Sequence, residues 1–176
     1  MMVDAWKKRL PLHGERIYKQ DGESDIAFQR RLQAGWGLCE WVNYTCTRRK
    51  VNRLIIEDAS RGHDVNAEIR RLYGNRDWGV VLVPARGDKW SRANAIVDIF
   101  TDEMVWAPGQ SVDEVWEWRD WAYEVIEEVC SFPRGAHDDL TDSVVMALRH
   151  LRETGWAIRR DERLFEERMM AQYKPR

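Results

Sequence analysis

Two short apolar runs set the tightest limit on the fold: Arg53-Leu54-Ile55-Ile56-Glu57 and Trp78-Gly79-Val80-Val81-Leu82-Val83-Pro84. Both are β-branched and end in polar or turn-forming residues, the pattern of strands buried on two faces. Between them Val65, Ile69 and Leu72 recur at helical spacing, and the pattern stops at Gly74, an apt residue just past a helix end. Strand, helix and strand in this order predict a parallel βαβ unit, because two parallel strands need a long crossover between them. The chain is therefore read as α/β. Open α/β sheets gather ligands at the carboxyl ends of parallel strands, and Glu57 occupies such an end. Asp58 points to the opposite face if the strand continues and serves as an outer ligand only if a loop turns it inward.

The flanking segments are read the same way. Val3-Asp4-Ala5-Trp6 alternates and predicts a strand that runs into Lys7-Lys8-Arg9, followed by a loop from Pro11 to Asp25. From Ser24 onward, Phe28, Leu32, Cys39, Val42 and Cys46 form one helical stripe, with Asp25 favourable in the first turn. After Arg86-Gly87-Asp88-Lys89, Ala93, Ile96, Val97 and Phe100 predict another helix, and Val105-Trp106 a small edge strand. Ser111 with Glu114 reads as a capping box that opens a helix to about Cys130. Residues 1–154 are read as one domain and residues 155–176 as a charged helix or tail.

Composition narrows the classes of function. At 176 residues and 44% hydrophobic content the chain can build a single core. A net charge of −2 argues against a general polyanion binder, and Arg48-Arg49-Lys50, Arg70-Arg71 and Arg159-Arg160 are read as solvated faces. Three cysteines without metal-ligand spacing indicate neither a disulfide framework nor a zinc site, so a reducing compartment is expected. Of ten tryptophans six fall between Trp78 and Trp121, and Trp116 and Trp118 are read as core or interface residues of a helix. No apolar run reaches the ~18 residues of a membrane helix, so a soluble protein of the cytoplasm is expected. His13, His63 and His150 are read as surface groups.

The densest chemistry lies in Phe132-Pro133-Arg134-Gly135-Ala136-His137-Asp138-Asp139-Leu140-Thr141-Asp142. Pro133 and Gly135 break the preceding segment, and Asp138 or Asp139 can cap a helix running through Val144, Val145, Leu148 and Leu151. Three acids and a histidine exceed what capping requires. Asp138 and Asp142 share a helix face, with Asp139 close to it, and His137 is either a ligand or a partner to the acids. If this helix points its first turn toward Glu57, the acids converge on an oxygen-only site suited to Mg²⁺ or Mn²⁺. Two such ions serve phosphodiester hydrolysis, with shared carboxylates and no protein nucleophile.

Leu54-Ile55-Ile56-Glu57-Asp58-Ala59-Ser60-Arg61-Gly62, then Gly87-Asp88-Lys89-Trp90-Ser91-Arg92-Ala93, then Phe132 to Asp139 resemble, in order and spacing, three motifs of the nuclease domain of tailed-phage terminase large subunits. The resemblance spans about Val3 to Leu151. It implies a ribonuclease H-like mixed sheet flanked by helices, and a Mg²⁺- or Mn²⁺-dependent endonuclease that cuts concatemeric viral DNA during packaging. It implies Glu57 as the second metal ligand, Asp138 or Asp139 as the third, and Asp142 as a further candidate. Lys89 and Arg92 would lie near the DNA, and Asp88 would orient their loop. Implied partners are double-stranded DNA, a terminase ATPase part or small subunit, and the portal.

The sequence departs from that family twice. Val3 to Leu10 resembles the family's third strand, so the strand with the first catalytic Asp is missing; Asp4 is a weak substitute. No Gly-x-x-x-x-Gly-Lys-Ser/Thr loop is present, which excludes a self-contained packaging motor. A lost central strand would expose a sheet edge that a partner must cover. The alternatives are a degenerate DNA-binding or packaging-assembly module, or another ribonuclease H-like nuclease such as a junction resolvase.

Overall fold

A computed structural model describes residues 4–112 and 115–172. Helix α1 (Asp25–Ala34) opens where Ser24 accepts a hydrogen bond from the Ala27 amide at 3.2 Å. The stripe read as one helix is two: Gly35 ends α1, and α2 (Leu38–Arg48) starts again after Gly37. The Glu40 carboxylate explains the restart, since it accepts from the amides of Gly37 at 3.0 Å and Gly14 at 3.1 Å. These bonds tie the linker to the loop that precedes α1.

Strand β1 (Arg53–Glu57), helix α3 (Ser60–Leu72) and strand β2 (Gly79–Val83) form the expected parallel unit, with Arg53 opposite Gly79 and Glu57 opposite Val83. The first turn of α3 presses on the end of β1. A Cβ at buried Gly62 would lie 2.1 Å from the Glu57 carbonyl oxygen, a distance only glycine avoids. Below this contact Cys39, Cys46, Ile69 and Trp78 make a core, joined by Leu54, Ile56 and Val80 from the strands. Burial pushes the thiols of Cys39 and Cys46 up to about 11, which makes them inert packing groups. All three cysteines are free.

Beyond β2, the predicted helix also divides, into α4 (Lys89–Asn94) and α5 (Val97–Thr101), because Ala95 and Ile96 tighten the chain between them. Val105 and Trp106 form no strand. The helix predicted from Ser111 is replaced by an antiparallel pair, β3 (Gly109–Val112) and β4 (Val115–Trp118), with Gly109 opposite Trp118. Glu114, half of the expected capping box, lies outside the described residues. The helical run begins only at α6 (Asp120–Ser131). Trp118 therefore stands on a strand and is exposed rather than a helical core residue.

Helix α7 (Asp139–Glu153) carries the expected apolar stripe, with Thr141 and Val145 buried. Val145 joins Ile96, Ile99 and Ala157 in a second core, with Leu148 and Phe100 against it. Helix α8 (Arg160–Gln172) closes the chain. Its approach is fixed by Arg159, whose Nε donates to Asp102 at 2.6 Å, and by Glu162, which accepts from Arg152 at 3.0 Å. The Arg159 guanidinium, read as a solvated charge, is thus an ion-pair partner.

The molecule is mixed α/β and divides into two compact units, residues 8–85 and residues 1–7 with 86–176. Each holds one two-stranded sheet among its described residues. The segment Asp4 to Leu10 is irregular rather than a strand, and Val3 lies outside the described residues. Side chains anchor this segment instead of a β-ladder: Lys7 reaches Glu128 and Asp139, both in its own unit.

Candidate functional site

The site is built from the turn before α4 and the first turn of α7. Gly87 takes φ +78°, a left-handed conformation that suits glycine. Asp88 then caps α4, accepting from the Ser91 amide at 2.9 Å and the Ser91 hydroxyl at 2.7 Å. These hydrogen bonds hold the Asp88 carboxyl below the usual carboxylate range. Asp88 thereby fixes the turn from which the next residue, Lys89, projects.

Lys89 Nζ lies 2.6 Å from Asp138 Oδ2 and 2.7 Å from Asp142 Oδ2. One ammonium bridges two carboxylates that share a face of α7. Its hydrogen bond with Asp138, then that with Asp142, raises the Lys89 pKa, and the Lys89 hydrogen bond lowers that of Asp138. Arg92 adds a longer contact, with Nη2 3.8 Å from Asp142 Oδ1. The four groups form an alternating, half-exposed chain of charge at the surface.

Asp138 occupies the N-cap position of α7, yet its side chain makes no capping hydrogen bond. Glu128, reaching from α6, does that work: its Oε1 accepts from the amides of Leu140 at 2.6 Å and Thr141 at 3.1 Å. Its other oxygen lies 3.3 Å from Lys7 Nζ, which is also 3.1 Å from Asp139 Oδ2. The Asp139 hydrogen bond is the largest cause of a raised Lys7 pKa. Capping by Glu128 leaves Asp138 free to face Lys89.

The three acids of the cluster thus separate. Asp138 and Asp142 meet Lys89, whereas Asp139 turns to Lys7 and Glu128. His137 lines an open depression with Lys7, Glu128 and Leu140. Glu57 ends β1 in the unit of residues 8–85, so it belongs to a different unit from the α7 acids. Among the described residues no group of three or more His, Cys, Asp or Glu side chains is arranged to hold a metal ion. Asp4 sits exposed in the irregular N-terminal segment.

Sequence reasoning missed Glu128 and Lys7. Neither has a local signal, because Glu128 acts across 12 residues and Lys7 across 121. It also missed two histidine partners: His63 Nε2 is 2.7 Å from Asp58 Oδ1, and His13 Nε2 is 3.6 Å from Glu68. Asp58 therefore faces a histidine on α3, and its amide donates to the Val83 carbonyl at 2.8 Å. His150 is half-buried, with its Nε2 enclosed.

Compared with protein-family models, with curated proteins and with solved structures, the chain gives no match. Among the described residues no helix is long and apolar enough to cross a membrane.

Proposed function

We propose that this chain is the nuclease part of a phage-type DNA-packaging terminase, a Mg²⁺- or Mn²⁺-dependent endonuclease with a ribonuclease H-like ancestry. One observation carries the reading: Lys89, from the Gly87-to-Ala93 stretch, meets Asp138, 49 residues away in the Phe132-to-Asp139 stretch, together with Asp142 just beyond that stretch. Two of the three stretches that resemble terminase motifs are thereby one cluster in space. The third, in the unit of residues 8–85, carries Glu57 at the end of β1 and the close strand-to-helix turn at Gly62.

The donor set fits a hard cation. Mg²⁺ is held by one or two carboxylates together with water and substrate phosphate, and Asp138 and Asp142 already converge on one positive centre. Bound there, the metal would supply an activated water and neutralise charge on the scissile phosphate. Asp138 and Asp142 would hold it, with Asp139 and His137 of the same unit as the further candidates. Lys89, released from its carboxylates, would turn to a DNA phosphate, while Arg92 would stay beside Asp142. Asp88 positions Lys89 through the α4 cap. The wider partners of this reading are double-stranded DNA, a terminase ATPase part or small subunit, and the portal.

The test is cleavage of supercoiled plasmid by the full chain in Mn²⁺, Mg²⁺ or EDTA, beside the Asp138→Ala/Asp139→Ala variant. Metal-dependent nicking that disappears in the variant is expected, and activity that survives in EDTA or in the variant overturns the site. A second reading is favoured by the same ion pairs: Lys89 neutralises the carboxylates as a structural element would, which suits a DNA-binding or assembly module without turnover. Absence of cleavage, even with a terminase ATPase part added, selects that module.

A further inference from the structure

The two units differ in charge. Residues 8–85 carry 14 Lys and Arg against 10 Asp and Glu, whereas the rest of the chain carries 14 against 20. The positive unit also holds an aromatic cluster that the proposed chemistry does not use. Trp36, in the linker between α1 and α2, meets Trp41 edge-on at 5.3 Å and Tyr44 at 5.1 Å. Lys8 Nζ lies over one face of the Trp41 ring, 3.6 Å from its centre, and the Arg48 guanidinium lies 5.8 Å from the centre of the Tyr44 ring. Trp36 and Tyr44 remain half-exposed.

These two rings separate a pair of depressions. One, walled by α1, has Ile26, Gln29, Arg30 and Gln33 opposite Trp36 and Tyr44. The next has Arg48, Thr47, Asn43 and Tyr73 around the same two rings. A third and larger cleft begins at Asn43, Thr47 and Tyr73 and runs past Lys50 to Arg76. Because neighbouring depressions share their walls, they form one path across α1, α2 and the end of α3.

Charge along the path is positive on balance, with Arg30, Arg48, Lys50 and Arg76 against Asp25, Glu40 and Asp77. Arg30, Arg48 and Lys50 are exposed, and Arg76 lies over the Trp78 ring at 4.4 Å. Asp25 is answered by Lys19 at 2.7 Å, and Glu40 by the two amides it caps. Aromatic faces alternating with cations along a groove match an unpaired strand, whose bases stack while its phosphates meet the cations. A paired base keeps both faces within its own stack and cannot enter such depressions.

We propose that this path binds single-stranded nucleic acid, with bases on Trp36, Tyr44 and Tyr73 and phosphates on Arg30, Arg48 and Lys50. The site goes beyond the nuclease reading and needs no metal. Its test is binding of a labelled oligothymidylate to the full chain in EDTA, read by anisotropy and by quenching of tryptophan fluorescence, beside a duplex of equal length. Salt-sensitive binding with quenching is expected, stronger for the single strand. Arg30→Glu/Arg48→Glu, which reverses two exposed charges and removes the Arg48 hydrogen bond to the Tyr44 hydroxyl, is expected to weaken it about tenfold or more, and Tyr44→Leu, which keeps an apolar contact, to reduce the quenching. Binding is read in EDTA and through variants of this unit alone, so failure of the nuclease reading leaves this result intact. Absence of binding at low salt, equal binding of duplex, or indifference to both path variants in chains of unchanged circular dichroism overturns the proposal. A protein that competes for this face without any affinity for oligothymidylate overturns it as well.

Discussion

Helices α3 and α7, one in each unit, secure their starts in opposite ways. In residues 8–85, α3 begins without a side-chain cap and is held by backbone pressed against backbone at Gly62. In the other unit, α7 begins on a carboxylate borrowed from α6. The first device depends on the absence of atoms and the second on the presence of charge. The contrast extends to charge, with Lys and Arg in excess in residues 8–85 and Asp and Glu in excess in the other unit. It teaches that the candidate chemistry rests on electrostatics that can be titrated, while its sheet rests on packing that cannot.

The largest effect expected from breaking this comparison is that of Gly62→Val. A Cβ 2.1 Å from the Glu57 carbonyl and 3.1 Å from Ile56 Cγ2 must separate α3 from β1. Overpacking of this kind costs about 1–3 kcal/mol and more where only backbone can yield. Hydrogen exchange on the full chain is expected to show protection lost first in β1, β2 and α3. Equal protection of those elements in variant and parent would remove the close-approach argument.

Glu128→Ala comes next. It strips two amides of their acceptor at a nearly buried side chain, for which about 1–3 kcal/mol is the usual loss. Glu128→Gln keeps an acceptor for the amides but not the charge facing Lys7, so it is expected to lose less. Thermal denaturation of the pair separates capping from ion pairing: equal losses would assign the whole effect to charge.

What the sequence disclosed follows from how local each signal was. β1, α3 and β2 were legible because each is a single uninterrupted pattern with its own stop. The break between α1 and α2 was not, since Leu32 and Cys39 keep helical phase across Gly35-Trp36-Gly37 while Glu40 redirects the chain. The β3–β4 pair was misread because Ser111 and the acids after it suit a helix start as well as a turn. In the candidate site, motif order brought out Lys89, Asp138 and Asp142. Capping of α7, which the pattern leaves open to Asp138 or Asp139, falls instead to Glu128, and only that tertiary contact shows why Asp138 can face another partner.

Lys89→Met has the smallest expected effect on stability and sharpens the comparison most, because the group it removes is exposed and solvent-screened. Its signature is titration. Lys89 holds the Asp138 pKa down, so the pair's contribution is complete above the ordinary carboxylate value of about 3.9 and is lost as pH falls through the lower value in the folded protein. On the alkaline side Lys89 is raised, so its share persists below the ordinary lysine value of about 10.4 and is lost as pH rises through the higher folded value. In Lys89→Met the carboxyl carbon resonance of Asp138 is expected to titrate upward, toward the ordinary range. Mn²⁺ is expected to broaden the Asp138 and Asp142 resonances at lower concentration than in the parent, since no ammonium competes for the same oxygens. Unchanged Asp138 titration would mean that Lys89 is not its partner in solution. A normal shift without tighter Mn²⁺ binding would keep the ion pair and detach it from metal chemistry.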